Sequence, residues 1–554
     1  MRGSSITATS AAPPVESGPR AAVASRHLTR VGILLRLGLR RERVVGPVII
    51  AVFVVITLAT AQAISGMYAT PQQRLGLQSG PGANPAFRFL LGDLDHIEPS
   101  AALVSWRAGL FLIAALGVCA AMMTVRQTRR EEELGRSELV RAGAVGSLAP
   151  VAAAACVAVI FSVIVAGFMS LILIPMGASA GDVAAVFAQY AGTGLAATAV
   201  ALVAAQVATT AHIANLTASS VVLLGFMVRG VADSTQGWDW LRWTNPVGWA
   251  EQVDPFGANN LVPALMSVVV FVVGAGAAGW VAARRDLGAG LLAARPGPAA
   301  TARLSSIEAF AVRAAGPILM SWVAGLFAYA VVIGLMQPSV EQLTQGNEQF
   351  DRIMRAALGD ATLSTVFGMT MLGFLAVAAG AWGVNLTERL RAEETAGRTE
   401  MVLATPTSRS RFFLAHAGVA TVGGVLLMAV AAIGMVLGCG LAGGGWATPA
   451  AHAAQSAAAQ VPALLVVITV ALALYAIRPV FVHVGWIVVA GALLLGPLAG
   501  MFDLPQWASD LSPYTHTPLV PVDPMRPTPV LVMLCVAAAF LTTGWVSFRR
   551  RRIG

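Results

Sequence analysis

Four uncharged apolar runs, residues 47–67, 149–174, 265–283 and 419–439, constrain this chain before any other feature does. Each holds about twenty residues, enough for a helix to cross a hydrocarbon core about 30 Å thick. In such a core every backbone polar group has to be bonded within its own segment, which leaves helices as the solution for runs like these. Charged residues make up only 11% of the 554-residue chain and hydrophobic ones 57%, too little charge to cover a soluble protein of this size. The expected fold class is an all-α polytopic membrane protein of about twelve transmembrane helices in two parallel six-helix halves.

Hydropathy blocks place spans near 47–67, 102–125, 148–174, 183–208, 213–232 and 263–283. Six more fall near 315–336, 362–386, 413–440, 454–476, 479–501 and 529–548. The arginines then orient the chain. Eight precede the first span, five follow the second, five lie in the central linker and five follow the eighth. With Arg478 and the four at 549–552, twenty-eight of thirty-six fall on one side. Arg74, Arg88, Arg107, Arg229, Arg242, Arg352, Arg355 and Arg526 fall on the other. An arginine excess marks the cytoplasmic side, so both termini are expected there. The predicted organisation is a disordered cytoplasmic tail over 1–29, a first transmembrane half over 30–283, a cytoplasmic linker over 284–314 and a second half over 315–554.

The halves share a motif. RREEELGRSELVRAG follows span two and RAEETAGRTEMVLAT follows span eight. At a constant offset Glu131, Glu132, Gly135, Arg136 and Glu138 recur as Glu393, Glu394, Gly397, Arg398 and Glu400. A repeat in the same position of each half implies parallel topology about an axis along the membrane normal. On a continuous helix Glu132 and Arg136, and Glu394 and Arg398, are i,i+4 partners. Such pairs contribute a few tenths of a kcal/mol, so helix stability alone does not account for a double occurrence: each segment is a solvated cytoplasmic helix extension or a docking surface, and two copies suit a partner that is present twice. Ahead of span one, Arg36, Arg40 and Arg43 at helical spacing, with Ile33, Leu34, Leu37 and Leu39 turned away, predict an amphipathic helix in the inner interface. Trp243 and Trp249 in one outer loop, and Tyr514 and His516 in the corresponding one, are interface anchors or parts of an outer gate.

Several chemistries are excluded. The thirty-six basic residues are all arginine, so a phosphate-binding G-x-x-x-x-G-K-[ST] loop, which needs its lysine, is absent. No H-E-x-x-H or C-x-x-C occurs, and Cys119, Cys156, Cys439 and Cys535 fall in apolar segments at unrelated spacings, which implies no disulfide framework and no metal site. The span centres carry no Asp, Glu or Arg, which argues against proton or sodium coupling.

E-E-x-x-G-[RT]-x-E-x-[VL]-x-A-x-P, as at 393–406, resembles the signature after the second span of ABC-2 type permeases, and the amphipathic helix resembles their elbow helix. The fused six-plus-six layout is similar to actinobacterial and mycobacterial permeases of the tetronasin and polyketide antibiotic exporter group, although the first copy has Gly143-Ala-Val-Gly146 where the second has Thr405-Pro-Thr-Ser408. The resemblance implies a type V exporter fold that moves hydrophobic or amphipathic compounds outward. It implies no cofactor in this chain, with ATP and Mg bound by a separate ABC ATPase present in two copies, and membrane lipids and a hydrophobic small molecule as further partners, with no nucleic acid. The Glu131–Glu138 and Glu393–Glu400 segments would couple to that ATPase. By the same resemblance spans two, five, eight and eleven line the path. They offer Trp106, Phe111, Met122, Asn215, Phe226, Met227, Phe367, Met371, Phe374, His483 and Trp486. The competing readings are a proton-coupled carrier of the major facilitator type, which also has basic motifs after spans two and eight, and a membrane enzyme or scaffold acting on envelope lipids.

Overall fold

The computed structural model describes residues 27–552 apart from 84, 144, 236, 286–289, 291–304, 343–361, 498–505 and 523. The predicted tail up to residue 26, most of the linker 284–314, Arg352, Arg355 and Asp523 lie outside the described residues. The tail's last residues are held in place: the His27 and Thr29 carbonyls accept from the Leu148 and Gly146 amides. Two compact units, Met1–Pro296 and Gly297–Gly554, make up the chain, and each has its own hydrophobic core.

The first unit contains α1 (Val31–Glu42), α2 (Val45–Met67), α3 (Pro71–Ser79), α4 (Pro85–Leu91), α5 (Ser100–Gln127), α6 (Arg129–Glu133) and α7 (Arg136–Arg141). It continues with α8 (Ala149–Leu171), α9 (Ala180–Val207), α10 (Ala211–Ser234), α11 (Pro246–Glu251) and α12 (Val262–Arg284). The second contains α13 (Ile307–Gln342), α14 (Leu363–Thr395), α15 (Arg398–Leu403), α16 (Arg409–Leu441), α17 (Ala447–Ile477), α18 (Val484–Leu495), α19 (Gln506–Ser509) and α20 (Pro527–Arg550). No strand occurs among the described residues. Eleven helices there are long and apolar enough to cross a membrane. The expected eleventh span is the shorter apolar segment Pro479–Leu495, a 3-10 turn running into α18. At 1.5 Å per residue it reaches about 25 Å, less than a full hydrocarbon core.

Both units are organised around their fourth span. α9 packs on α5, α8, α10 and α12, and α17 packs on α14, α16, α18 and α20. Small residues allow this, because apolar association inside lipid depends on close packing. A Cβ added at Gly194 of α9 would lie 2.3 Å from Ser162 Oγ on α8. The start of α9 is fixed by a reciprocal capping box, Ser179 Oγ accepting from the Asp182 amide (3.2 Å) and Asp182 Oδ2 from the Ser179 amide (2.8 Å).

α1 is the predicted amphipathic helix, with Arg36, Arg40 and Arg43 exposed. Its packed face differs from the expected one. Ile33, Leu37 and Leu39 stay exposed, whereas Leu34, Leu35, Gly38 and Glu42 turn inward, and a Cβ at Gly38 would sit 2.8 Å from Val157 Cγ2 on α8.

Candidate functional site

The repeated Glu/Arg motif forms the same bent device in both units. Gly135 has φ +69° and Gly397 φ +71°, the left-handed region where a side chain is strained. Nothing lies within 4 Å of a Cβ added at either position, so backbone conformation rather than space requires glycine. Each glycine ends one helical stretch, its amide bonded to the Glu132 or Glu394 carbonyl (3.0 and 2.9 Å), and starts α7 or α15.

The bend overturns the expected i,i+4 pairs. Glu132 and Arg136 sit on different helical pieces, as do Glu394 and Arg398. Arg136 instead pairs with Glu131 (3.3 Å) and Arg398 with Glu393. Glu132 and Glu394 point inward, only 12% and 13% exposed.

Their inward partners recur too. Glu132 takes Arg285, just past the sixth span (Nη2–Oε1 2.5 Å), along with Arg129 (2.9 Å). Glu394 takes Arg551, just past the twelfth (Nη2–Oε2 2.7 Å), along with the Tyr475 hydroxyl, which donates at 2.9 Å. A second fastening reaches the connection between the fourth and fifth spans of each unit. Arg129 donates to the Thr209 carbonyl (2.6 and 3.1 Å), and Arg391 meets His483. Each segment is therefore braced against two distant parts of its own unit by charge-assisted bonds, roughly twice as strong as neutral ones. Sequence reasoning missed Arg285 and Arg551 as partners; the only signal was a run of arginines at the end of the last span of each half, two at 284–285 and four at 549–552.

Beyond the braces the segments are exposed. Leu134, Leu139 and Met401 are 52%, 79% and 65% accessible, and the Glu138 and Glu400 side chains are exposed without an ion-pair partner among the described residues.

At the predicted outer end the first unit carries a buried ionic cluster that sequence reasoning did not assemble. Arg229 and Asp233 on α10 are fully buried and pair at 2.7 Å. Arg242 joins Asp233 (2.7 Å) to Asp93 (3.0 Å), and Glu251 lies 3.7 Å from Arg229 and 3.9 Å from Arg242. Glu251 is held only at these longer distances, and its Oε2 is buried without a hydrogen-bond partner. Burial pushes its carboxyl up to about 8 against the pull of both arginines. The corresponding region of the second unit is held by neutral bonds. The Tyr514 hydroxyl donates to the Ala376 carbonyl (2.9 Å), Ser512 Oγ to that of Ala492 (2.9 Å), and His516 Nε2 meets that of Asp510 (2.9 Å). Trp249 donates from its indole to the Trp243 carbonyl (2.6 Å), which fixes the aromatic loop of the first unit.

Residues 43–253 match the family model for ABC-2 type transporters, and residues 304–549 match that for the C-terminal domain of the multidrug efflux system permease Rv1217c. The chain is 31% identical over 528 residues, 94% of each chain, to the multidrug efflux system permease protein Rv1217c of Mycobacterium tuberculosis. The chain belongs to the ABC-2 type permeases. It is the permease subunit of an ABC exporter, a multi-pass membrane protein and a transport component rather than an enzyme. The comparisons give no support to the major facilitator reading.

The path candidates of this permease occupy varied places. Trp106 is buried and donates to the Gly92 carbonyl (3.0 Å). Phe226 is buried between Phe111 (ring centroids 5.4 Å apart) and the Arg229 guanidinium (4.7 Å). Phe111 and Met122 are exposed, Met227, Phe367, Met371 and Phe374 are part-buried, and Asn215 has a buried Oδ1 without a partner. His483 and Trp486 are both bound to Glu388 (3.3 and 2.9 Å), at the Glu/Arg end of the second unit.

Proposed function

We propose that this permease exports hydrophobic or amphipathic compounds, including drugs and antibiotics, on ATP hydrolysed with Mg by a separate ABC ATPase. Two copies of that ATPase dock, one on each braced Glu/Arg segment. The observation that carries this reading is the recurrence of the brace: an inward glutamate locked to the arginine after the last span, a left-handed glycine, and an exposed apolar and acidic face. A rigid lever anchored to two other parts of its own unit would pass a partner's motion into the spans, whereas a solvated helix extension would need no second anchor. The name of the Mycobacterium tuberculosis relative supports drug-like cargo. The arginine excess at the Glu/Arg end supports a plasma-membrane location with both termini cytoplasmic.

The test is cross-linking. Cysteines at Leu139 and Met401, paired with the ATPase expressed alongside, should each give one adduct per permease. A permease whose two sites never cross-link while transport persists would overturn the docking assignment.

A further inference from the structure

At the Glu/Arg end of the second unit a groove of about 980 Å³ opens between the start of α13, the end of α14, α15 and the start of α16. The corresponding place in the first unit is closed to about 60 Å³ by α1, which lies on α8. The two places differ in charge as well. In the first unit Glu42, four residues before Gly46-Pro47, accepts from Arg126 (3.0 Å) and from Gln127 (2.7 Å), which lines that place, so a carboxylate stands directly behind it. In the second unit Val312 stands four residues before Gly316-Pro317, and Arg389 takes the place of Gln127, two residues before the repeated arginine.

The groove is therefore rich in cations. Arg398 and Arg411 are matched by Glu393 and Glu308, but among the described residues Arg313 and Arg389 have no carboxylate partner. Thr399, 2% exposed, lines the same groove with a hydroxyl that has no hydrogen-bond partner, a cost that a buried polar group bears only where something else satisfies it. The remaining wall is apolar, with Ile307, Phe310, Leu386 and Leu390. A site with an unmatched guanidinium pair, a free hydroxyl and an adjoining apolar wall fits an anion attached to hydrocarbon. At the level of the inner headgroups the occupant in supply is lipid.

We infer that an anionic phospholipid of the inner leaflet occupies this groove. Arg313, Arg389 and the Thr399 hydroxyl hold its phosphate, and its acyl chains run along Ile307, Phe310 and Leu386. The lipid supplies the carboxylate's counterpart that Glu42 supplies in the first unit. Because Thr399 belongs to α15, the lipid also ties the second docking segment to the membrane. The inference rests on the proposed cytoplasmic placement for the leaflet alone.

The experiment is native mass spectrometry of the intact permease in nonionic detergent, titrated with phosphatidylglycerol or with phosphatidylcholine of the same chains. The wild type should retain one phosphatidylglycerol more tightly than phosphatidylcholine. Arg313→Gln with Arg389→Gln should weaken that binding about tenfold or more and leave phosphatidylcholine unchanged, at about 1 kcal/mol per arginine near a membrane surface. Thr399→Val, which keeps the shape of a buried side chain, should weaken it in the same direction. Equal binding of the two lipids, or a double variant that binds phosphatidylglycerol like the wild type, would overturn the inference, as would displacement of the lipid by an anionic cargo. Sidedness is read separately, by labelling a cysteine placed at Thr407 in intact cells, so an error in topology is distinguishable from an error in the lipid site.

Discussion

Reversing the charge of Arg551 should release the braced Glu/Arg segment of the second unit, and restoring the pair in the opposite sense should reseat it. Arg551 and Glu394 are 12% and 13% exposed and 2.7 Å apart. Arg551→Glu replaces attraction with two carboxylates in a nearly dry site. Breaking a buried pair costs roughly 3–5 kcal/mol, and the residual exposure puts this one at about 3. At about 1.4 kcal/mol per factor of ten, the seated segment loses more than a hundredfold against the released one. Measured in proteoliposomes with the ATPase, Arg551→Glu should therefore lose most dye efflux while still inserting in the membrane. Glu394→Arg combined with Arg551→Glu should recover much of it, because the Tyr475 hydroxyl that donates to Glu394 can accept from an arginine instead. Recovery should be incomplete, since Arg551 also lies 5.3 Å from the Tyr475 and Phe548 ring centroids, contacts of about 0.5–1 kcal/mol each. Wild-type efflux by Arg551→Glu, or a double variant no better than the single, would refute the brace.

Other positions give further expectations. Gly135→Ala or Gly397→Ala should strain the bend by about 1–2 kcal/mol each and lower cargo-stimulated ATP hydrolysis more than membrane yield, as activity per purified complex would show. Arg229→Ala takes from the buried Asp233 one of its two arginine partners, Arg242 remaining at 2.7 Å, and should destabilise the first unit by about 1.5–3 kcal/mol, seen as a lowered unfolding temperature in detergent. Glu251 has a carboxyl pushed up to about 8, above the usual range near 4.3, so the folded state holds a proton there that the unfolded state gives up. Its contribution to stability is full below about 4.3 and is lost as pH rises through about 8; Glu251→Gln should flatten that decline, measured by thermal unfolding across pH 5 to 9.

Much of this architecture could be read from residue patterns that repeat locally. Apolar runs located the spans, and the recurrence of Glu131 to Glu138 as Glu393 to Glu400 located the two bent Glu/Arg segments. The pairing inside them could not be read that way. Spacing alone assumes a continuous helix, and a single left-handed glycine at 135 or 397 moves Arg136 and Arg398 one residue back, onto Glu131 and Glu393. The partners of Glu132 and Glu394 lie 153 and 157 residues away, beyond any periodicity. The outer ionic cluster was hidden for the same reason, with Asp93 and Arg242 separated by 149 residues. In span eleven the helix ends at Leu495, because Gly496 and Pro497 follow it, while 498–501 of the expected run lie outside the described residues.

The most direct test of the central claim is efflux of a fluorescent hydrophobic dye from proteoliposomes containing this permease, with and without its ABC ATPase. Transport that requires both ATP and the second protein, and persists with a protonophore, is the predicted result. Transport by this chain alone on a pH gradient would contradict it.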